Sequence, residues 1–276
     1  MRWNWIFCPS KNMETTRPRQ YWDDYASRFK HRSLAELYDL RPPYPEETYQ
    51  ILLNLLGESQ GKILDVGCGT GKIARALVNH VDSVDAVDFS QEMLRVGKSL
   101  VNGDHPNLRW INGPVETVEL YPPYNIITAG ASIHWMEWDV VFPRFKEVLT
   151  TDGHLVIIDG DRPVGSPWHD AELSLIHKYS TNRHHEPIDL IQELVDRGHL
   201  HVIGDKRTTP VSFSQSLADY VQSFHSRESM SQEHMGAENV KTFDAELSKV
   251  LSDCVDDDGL LTFQLEVRIT WGRPLA

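Results

Sequence analysis

The sequence predicts an α/β protein built on a parallel, doubly wound sheet. Short apolar runs alternate with segments of helical periodicity between residues 62 and 158, the rhythm of repeated strand–helix units. A glycine-rich turn, Gly-Cys-Gly-Thr-Gly at residues 67–71, joins the first of these runs to the segment that follows it. Right-handed crossovers place the turns that follow the strands at one edge of such a sheet. We therefore expect a ligand cradle at that edge.

The segment before the predicted sheet is helical in character. Residues 1–18 are expected to be an N-terminal extension, and residues 19–60 a helical segment with Tyr21 and Tyr25 on one stripe. The string Arg-Pro-Pro-Tyr-Pro at residues 41–45 then leads into a second helix.

The first strand of the predicted core, which spans residues 61–160, contains Ile63, Leu64 and Val66. Asp65 stands two residues before the first glycine, where a carboxylate would repel a pyrophosphate but suits a ligand with an amino group and a sulfonium. The glycines recur at every second position, unlike the Gly-x-Gly-x-x-Gly spacing of dinucleotide sites. The alternative is an ordinary tight turn between a strand and a helix.

A second short strand, residues 84–87, ends on Asp88. The two oxygens of one carboxylate can accept hydrogen bonds from both hydroxyls of a ribose, so Asp88 is the candidate ribose ligand. Ser90 follows as a candidate helix N-cap, and Met93 lies on the apolar face of the next helix. Met93 alone is more typical of a core residue, but beside Asp88 and the glycine turn it becomes a candidate contact of the bound ligand.

At these residues the chain resembles the class I S-adenosylmethionine-dependent methyltransferases, whose first motif ends a strand as Asp-x-Gly-x-Gly-x-Gly. The string Val-Asp-Phe-Ser-Gln-Glu-Met-Leu at residues 87–94 is similar to the second motif of that family. The resemblance implies a Rossmann-like, seven-stranded sheet, mostly parallel with an antiparallel last strand, together with an inserted helical cap. It also implies that the N-terminal helices, residues 19–60, form a lid over the cofactor. The tyrosines of that segment either take part in the lid or serve only in packing, and both readings stay open. It also implies S-adenosyl-L-methionine as cofactor and S-adenosyl-L-homocysteine as product. The cofactor-binding residues that follow from the resemblance are Asp65, Gly67, Cys68, Gly69, Asp88, Phe89, Met93, Pro114, Val115, Glu116, Ala129 and Tyr25.

The third and fourth predicted strands, residues 108–112 and 125–129, complete the expected cofactor edge. In similar enzymes the segment after the third strand reads the adenine amino group, through the backbone and an acidic side chain. Here Pro114 replaces the acidic residue that usually follows the glycine, so adenine recognition is expected to rest on backbone groups or on Glu116.

The loop after the fourth strand carries the candidate for chemistry. His134 is the expected general base or substrate contact, because a base assists methyl transfer to a hydroxyl or an acidic carbon. Trp135 and Trp138 are large enough to wall a substrate pocket, and Tyr21, His225 and Arg227 are further substrate candidates. The alternatives are a structural role for His134 and a surface position for His225.

Residues 161–276 are expected to complete the same single domain with inserted cap helices. Residues 161–187 are rich in proline, histidine and polar side chains and predict an insertion or irregular helix. The periodicity then predicts a helix over 188–197, a long strand within 201–213, helices over 217–224 and 240–255, and a last strand over 261–271.

Composition narrows the classes of partner. The net charge of −13 argues against the phosphate neutralisation that dominates nucleic-acid binding. The string Tyr-Pro-Pro-Tyr at residues 121–124 is similar to a motif of adenine-N6 methyltransferases, but it precedes the fourth strand instead of following it. Three cysteines without metal spacing predict a reducing, cytoplasmic location and no metal, and no apolar stretch reaches the length of a membrane span.

The function expected from these observations is transfer of a methyl group from S-adenosylmethionine to an oxygen, nitrogen or carbon of a small molecule. Two alternatives stay open. The acceptor is a protein or a carrier-bound group, or the chain is a cofactor-binding module without turnover. The sequence leaves the oligomeric state undecided.

Overall fold

A computed structural model describes residues 5–7, 31–57, 60–160, 163–182 and 186–275 of the 276-residue chain. The strands are β1 (Trp5–Phe7), β2 (Lys62–Val66), β3 (Ser83–Asp88), β4 (Leu108–Asn112), β5 (Tyr124–Gly130), β6 (Leu149–Asp159), β7 (Pro163–Val164), β8 (Glu186–Ile188), β9 (Leu200–Arg207), β10 (Val211–Ser216), β11 (Leu260–Leu265) and β12 (Arg268–Pro274). The α-helices are α1 (Arg32–Leu37), α2 (Glu46–Leu56), α3 (Lys72–Leu77), α4 (Gln91–Ser99), α5 (Trp138–Val148), α6 (His169–Tyr179), α7 (Leu190–Asp196), α8 (Leu217–Ser223), α9 (Gln232–Met235) and α10 (Ala237–Leu251).

The main sheet has seven strands in the order β4-β3-β2-β5-β6-β12-β9. The first five of these are mutually parallel, and β12 is antiparallel to both of its neighbours. The strand order reverses between β2 and β5, so the loops after these two strands diverge and leave a crevice at the sheet edge. The expected doubly wound α/β fold with a mostly parallel, seven-stranded sheet is confirmed.

One predicted strand is wrong in its extent, because the stretch 261–271 divides between two sheets as β11 and β12. The stretch 201–213 contains the expected long strand, β9, and also the start of β10 in the second sheet. β10, β11 and β7 form a separate three-stranded antiparallel sheet. Thr208 and Val267 lie where the chain passes from one sheet to the other. The Thr208 N–H donates to the Val267 carbonyl, and the Val267 N–H donates to Thr208 Oγ1.

Residues 161–187, expected to be an insertion or irregular helix, contain the regular helix α6. Residues 152–153 lie within β6, where the register against β5 shifts. The extra residues are accommodated as an irregularity, so β6 starts earlier than its apolar core predicts.

The two faces of the main sheet are covered by different helices. Ile63 packs with α2 and α3, whereas Leu64 and Val66 pack with α5 and α7. Because side chains alternate along a strand, Asp65 lies on the same face as Ile63, towards α3. We call residues 163–179 and 211–265 the cap. The cap has a third core of its own, which contains Phe224 and Phe243.

A short N-terminal segment connects the sheet to this cap. We call residues 32–41 the strap; it consists of α1, the 3₁₀ turn Tyr38–Leu40 and Arg41. Leu34 and Ala35 pack against Met93 of α4, and the strap also contacts the 3₁₀ turn Phe224–Ser226 of the cap. Searching the described residues finds no helix with the length and apolarity that crossing a membrane requires.

The third glycine of the turn is required for packing. Gly71 has φ +77°, and a Cβ there would lie 2.5 Å from Cη2 of Trp110, whose ring also covers Gly97. Gly198 has almost the same φ, +75°, but a Cβ there meets no described atom within 4 Å.

We predict that Gly71→Ala destabilises the protein more than Gly198→Ala. The control variant suffers only left-handed backbone strain, about 1 kcal/mol. Gly71→Ala adds overpacking against Trp110, for a total of about 2–4 kcal/mol. Urea unfolding of both variants measures the difference, and equal losses would show that the indole ring moves aside freely.

Candidate active site

An open pocket of about 620 Å³ lies at the carboxyl ends of β2, β3 and β5. It is the crevice that the reversal of strand order predicts. The residues that line it are Tyr38, Gly67, Gly69, Val87, Asp88, Phe89, Met93, Gly113, Pro114, Val115, Glu116, Ala131, Ser132, Trp135 and Met136.

The glycine turn forms one wall of the pocket. A Cβ on Gly67, which has φ +62°, would lie 2.5 Å from the Cβ of Ser132, so only glycine fits between the β2 and β5 loops. At Gly69 the ring of Tyr38 comes within 3.3 Å of the Cβ position and covers the turn from the strap side. The wall is therefore bare backbone at its base with an aromatic ring above it.

Asp88 holds this turn against the end of β3. Its Oδ2 accepts from the Gly69 N–H at 2.8 Å, and its Oδ1 accepts from the Ser90 N–H at 2.7 Å. Burial raises the pKa of Asp88 to about 6, while the hydrogen bonds from Ser90 and Gly69 act in the opposite direction. Each carboxylate oxygen has a further lone pair, so Asp88 can still accept from two ligand hydroxyls.

The end of the pocket nearest β4 combines apolar side chains with one carboxylate. Phe89, Met93 and Val115 are among its lining residues, which suits a flat ring. Glu116 Oε1 accepts from the Glu137 N–H at 3.0 Å. Glu116 Oε2 is shielded from solvent and has no hydrogen-bond partner among the described residues. Burial raises the pKa of Glu116. A hydrogen-bond donor on a ligand would satisfy the second oxygen.

The opposite end of the pocket is shaped by the loop after β5. Ala131 has φ +49°, a left-handed conformation that costs a non-glycine residue about 1–3 kcal/mol and is typical of functional sites. Ser132 follows and donates from Oγ to the Val66 carbonyl at 2.6 Å, which joins this loop to the end of β2. Trp135 and Met136 complete the wall.

Asp65 lies beneath the turn and is not part of the pocket lining. It is 1% exposed, and its Oδ1 accepts from Thr128 Oγ1 at 2.8 Å across the β2–β5 pair. Its Oδ2 is buried without a hydrogen-bond partner among the described residues. Burial raises the pKa of Asp65 to about 7, and the nearby Asp88 charge contributes in the same direction. A cation bound over the turn would favour the ionised form.

Several residues expected in the site have side chains elsewhere. Cys68 packs into the core on one face of the sheet, and Ala129 packs into the core on the other face. Trp138 donates from Nε1 to the Ile133 carbonyl at 2.8 Å and does not line the pocket. His134 is buried, with its ring centroid 4.7 Å from that of Trp135, and it does not line the pocket either.

The cap residues His225 and Arg227 lie apart from the pocket. Neither expectation for His225, substrate contact or surface position, matches its environment: it is 1% exposed, with ring nitrogens 2.8 Å from the Met230 carbonyl oxygen and from Asp244 Oδ1. The Arg227 guanidinium carbon lies over the Phe224 ring, 4.6 Å from the ring centre. Tyr21 and Tyr25 lie outside the described residues.

Sequence reasoning missed part of the lining. The small residues after the fourth strand indicated the correct loop, but the lining residue is Ala131 and not the predicted Ala129, whose side chain faces the core. The only sequence feature that indicated Tyr38 is its position three residues before the Arg-Pro-Pro-Tyr-Pro string. The missed lining residues are Tyr38, Val87, Gly113, Ala131, Ser132 and Met136. In the described parts of the chain, no cluster of three His, Cys, Asp or Glu side chains is arranged to hold a metal ion.

We predict that Asp65→Asn changes how stability depends on pH. Because burial raises the pKa of Asp65 to about 7, the folded wild type holds more protons than the unfolded chain between about pH 4 and that value. Its free energy of unfolding therefore falls as the pH rises through this window. Asparagine does not ionise. As the pH rises through this window, the free energy of unfolding of the variant should therefore increase relative to that of the wild type by on the order of a few kcal/mol.

Urea unfolding of both proteins without ligand, at about pH 4.5 and about pH 7, measures this relative gain. Titrating groups remote from Asp65 are common to both proteins and cancel in the difference. A difference between the two proteins that stays constant with pH would contradict the raised pKa.

Comparison with known proteins agrees with the geometry. Residues 63–153 match the family of methyltransferase domains. Malonyl-(acyl-carrier protein) O-methyltransferase of Halalkalibacterium halodurans is 37% identical over 116 residues, covering 37% of this chain and 42% of that protein. Malonyl-(acyl-carrier protein) O-methyltransferase 1 of Ilyobacter polytropus is 29% identical over 131 residues, covering 46% and 42%. The chain thus spans less than half the length of these curated relatives.

A solved structure extends the likeness in fold beyond the matched domain. The YcgJ protein of Bacillus subtilis superposes with a TM-score of 0.52 at 16% identity, covering 84% of this chain and 100% of that one. The glycine turn, the acid after β3 and the strand order together agree with these matches. Residues 63–153 therefore form a methyltransferase domain.

Proposed function

We propose that this protein is an enzyme that transfers the methyl group of S-adenosylmethionine to a small-molecule acceptor. The proposal rests on the order of the chemical groups along one pocket. Asp88 is held by two backbone N–H groups, and beyond the apolar walls lies the shielded oxygen of Glu116. Adenosine offers matching groups in the same order, with two hydroxyls on the ribose and an amino group on a flat ring.

The two buried carboxylate oxygens without a partner support the fit of this donor. Glu116 Oε2 needs a hydrogen-bond donor, which the adenine amino group would provide. Asp65 Oδ2 lies beneath the glycine turn, where the amino and sulfonium groups of the methionine part would stabilise its charge. The methionine part would then lie along Gly67 and Gly69 below the Tyr38 ring.

When bound, S-adenosylmethionine supplies a methyl group attached to positively charged sulfur, a leaving group that is already activated. The protein has to align the acceptor with that methyl group at near-attack distance and keep water away. Ser132, Trp135 and Met136 wall the end of the pocket where the acceptor would approach. As the new bond to the acceptor forms, the carbon–sulfur bond breaks, and a hydroxyl acceptor releases its proton to a base.

His134 is the proposed base or orienting residue of this step. Its ring contacts the ring of Trp135 but does not line the pocket, so contact with an acceptor requires the His134 ring to turn towards the pocket. The alternative is that His134 sets the position of Trp135 through their ring contact.

A carrier-bound acceptor is the second candidate function. It is favoured by the 37% identity to an enzyme whose name specifies a malonyl group on an acyl-carrier protein. Incubation with methyl-labelled S-adenosylmethionine and either free carboxylic acids or malonyl-carrier protein distinguishes the two. Cofactor binding without transfer to any acceptor would instead favour a silent binding module.

We predict that Asp88→Ala weakens S-adenosylmethionine binding about 10- to 100-fold, the loss of one or two charge-assisted hydrogen bonds. Asp82→Ala, an exposed aspartate just before β3, is the matched control and should bind like the wild type. Titration calorimetry measures both affinities. Unchanged affinity in Asp88→Ala would remove the ribose assignment.

We also predict that His134→Ala lowers turnover about 10²- to 10⁴-fold, the usual contribution of general acid–base catalysis, while the cofactor affinity changes little. The exposed His80→Ala is the control. Turnover is measured with the acceptor that the labelling experiment identifies. Full activity in His134→Ala would exclude it as the base.

A further inference from the structure

The strap touches both the cofactor turn and the cap. At the turn, Tyr38 covers Gly69, and Asp39 Oδ1 accepts from Thr70 Oγ1 at 2.9 Å. At the cap, the Leu40 carbonyl accepts from Gln215 Nε2 at 3.3 Å. The strap is therefore the place where a ligand in the pocket and the cap can influence each other.

Arg41 joins these two ends through one side chain. Its guanidinium carbon lies 4.7 Å from the centre of the Tyr38 ring, within the range of a cation–π interaction. Its Nε donates to Ser226 Oγ at 2.9 Å. The carbonyl of Arg41 accepts from Lys72 Nζ at 2.7 Å, which fixes the backbone of Arg41 to the start of α3.

Ser226 in turn is anchored within the cap. It is fully buried, and its Oγ donates to the Ser223 carbonyl at 2.6 Å. The preceding His225 is hydrogen-bonded to Asp244 of α10. Contacts thus run from Gly69 through Tyr38 and Arg41 to Ser226, and the neighbouring His225 connects this segment to α10.

We infer that Arg41 is a positioning residue that couples occupancy of the donor pocket to the order of the cap. This coupling rests on the proposed donor binding, because Tyr38 would pack on the bound methionine part and thereby fix the Arg41 guanidinium. An ordered Arg41 then holds Ser226 and the start of the cap core. The cap would therefore become ordered only after the donor is bound.

Hydrogen exchange of the full-length protein, with and without saturating S-adenosylhomocysteine, tests the coupling. In the wild type we expect slower exchange at the turn, residues 65–72, and also in the cap, residues 217–231. The slowing in the cap should be about fivefold or more, the lower end of the usual range for coupled sites. In Arg41→Ala the protection of the turn should persist and that of the cap should disappear.

The control is Arg197→Ala, an exposed arginine just after α7 that pairs with Glu193. It should show the wild-type pattern in both segments. If Arg41→Ala does not fold, Ser226→Ala removes the hydrogen bond from Arg41 Nε and leaves only the one from Arg41 Nη2 to the Ser226 carbonyl, at 3.5 Å. It should reduce the cap protection.

Three outcomes separate the coupling from the proposed function. Protection of the turn alone in the wild type overturns the coupling and leaves donor binding intact. Cap protection that survives in Arg41→Ala or is not reduced in Ser226→Ala also overturns it. Absence of any protection by S-adenosylhomocysteine in the wild type overturns donor binding itself, and the coupling with it.

Discussion

The Asp88 carboxylate accepts hydrogen bonds from the backbone N–H groups of Gly69 and Ser90, and the geometry of the pocket depends on this pair of bonds. One bond holds the glycine turn over β3, and the other sets the start of α4. Ser90 then accepts from the Met93 N–H as the N-cap of that helix, which directs Met93 towards both the pocket and the strap. A single buried side chain thus defines two walls of the site.

The reversal of strand order between β2 and β5 provides the second constraint. Here Thr128 Oγ1 of β5 donates a hydrogen bond to Asp65 of β2, and Ser132 Oγ, in the loop after β5, donates to the Val66 carbonyl at the end of β2. The left-handed Ala131 makes the second bond possible by turning the chain back towards β2. Two carboxylates with raised pKa values, Asp65 and Asp88, lie under or beside the turn and favour a ligand that brings positive charge.

The cap has its own core and its own small sheet, and it meets the donor side of the molecule through the strap. In the proposed function, the sheet edge presents rigid groups to the donor, while the separate cap is free to differ in shape. This arrangement also explains why His225 is buried among cap residues: its hydrogen bonds stabilise the cap that Ser226 connects to Arg41.

The sequence by itself determined the sheet, the glycine turn and Asp88, because each depends on local features such as strand periodicity, positive φ and the residue that ends a strand. The strands β2, β3, β4 and β5 were predicted with nearly correct bounds. The last strand, expected over 261–271, was not, because pairing partners distant in sequence decide where the chain changes sheets. Tertiary structure alone decided that Tyr38 covers the turn, that Asp65 lies beneath it and that Cys68 and Ala129 face the cores. The physical reason is that side-chain direction, and contact between residues far apart in the chain, follow from packing, which no local pattern encodes.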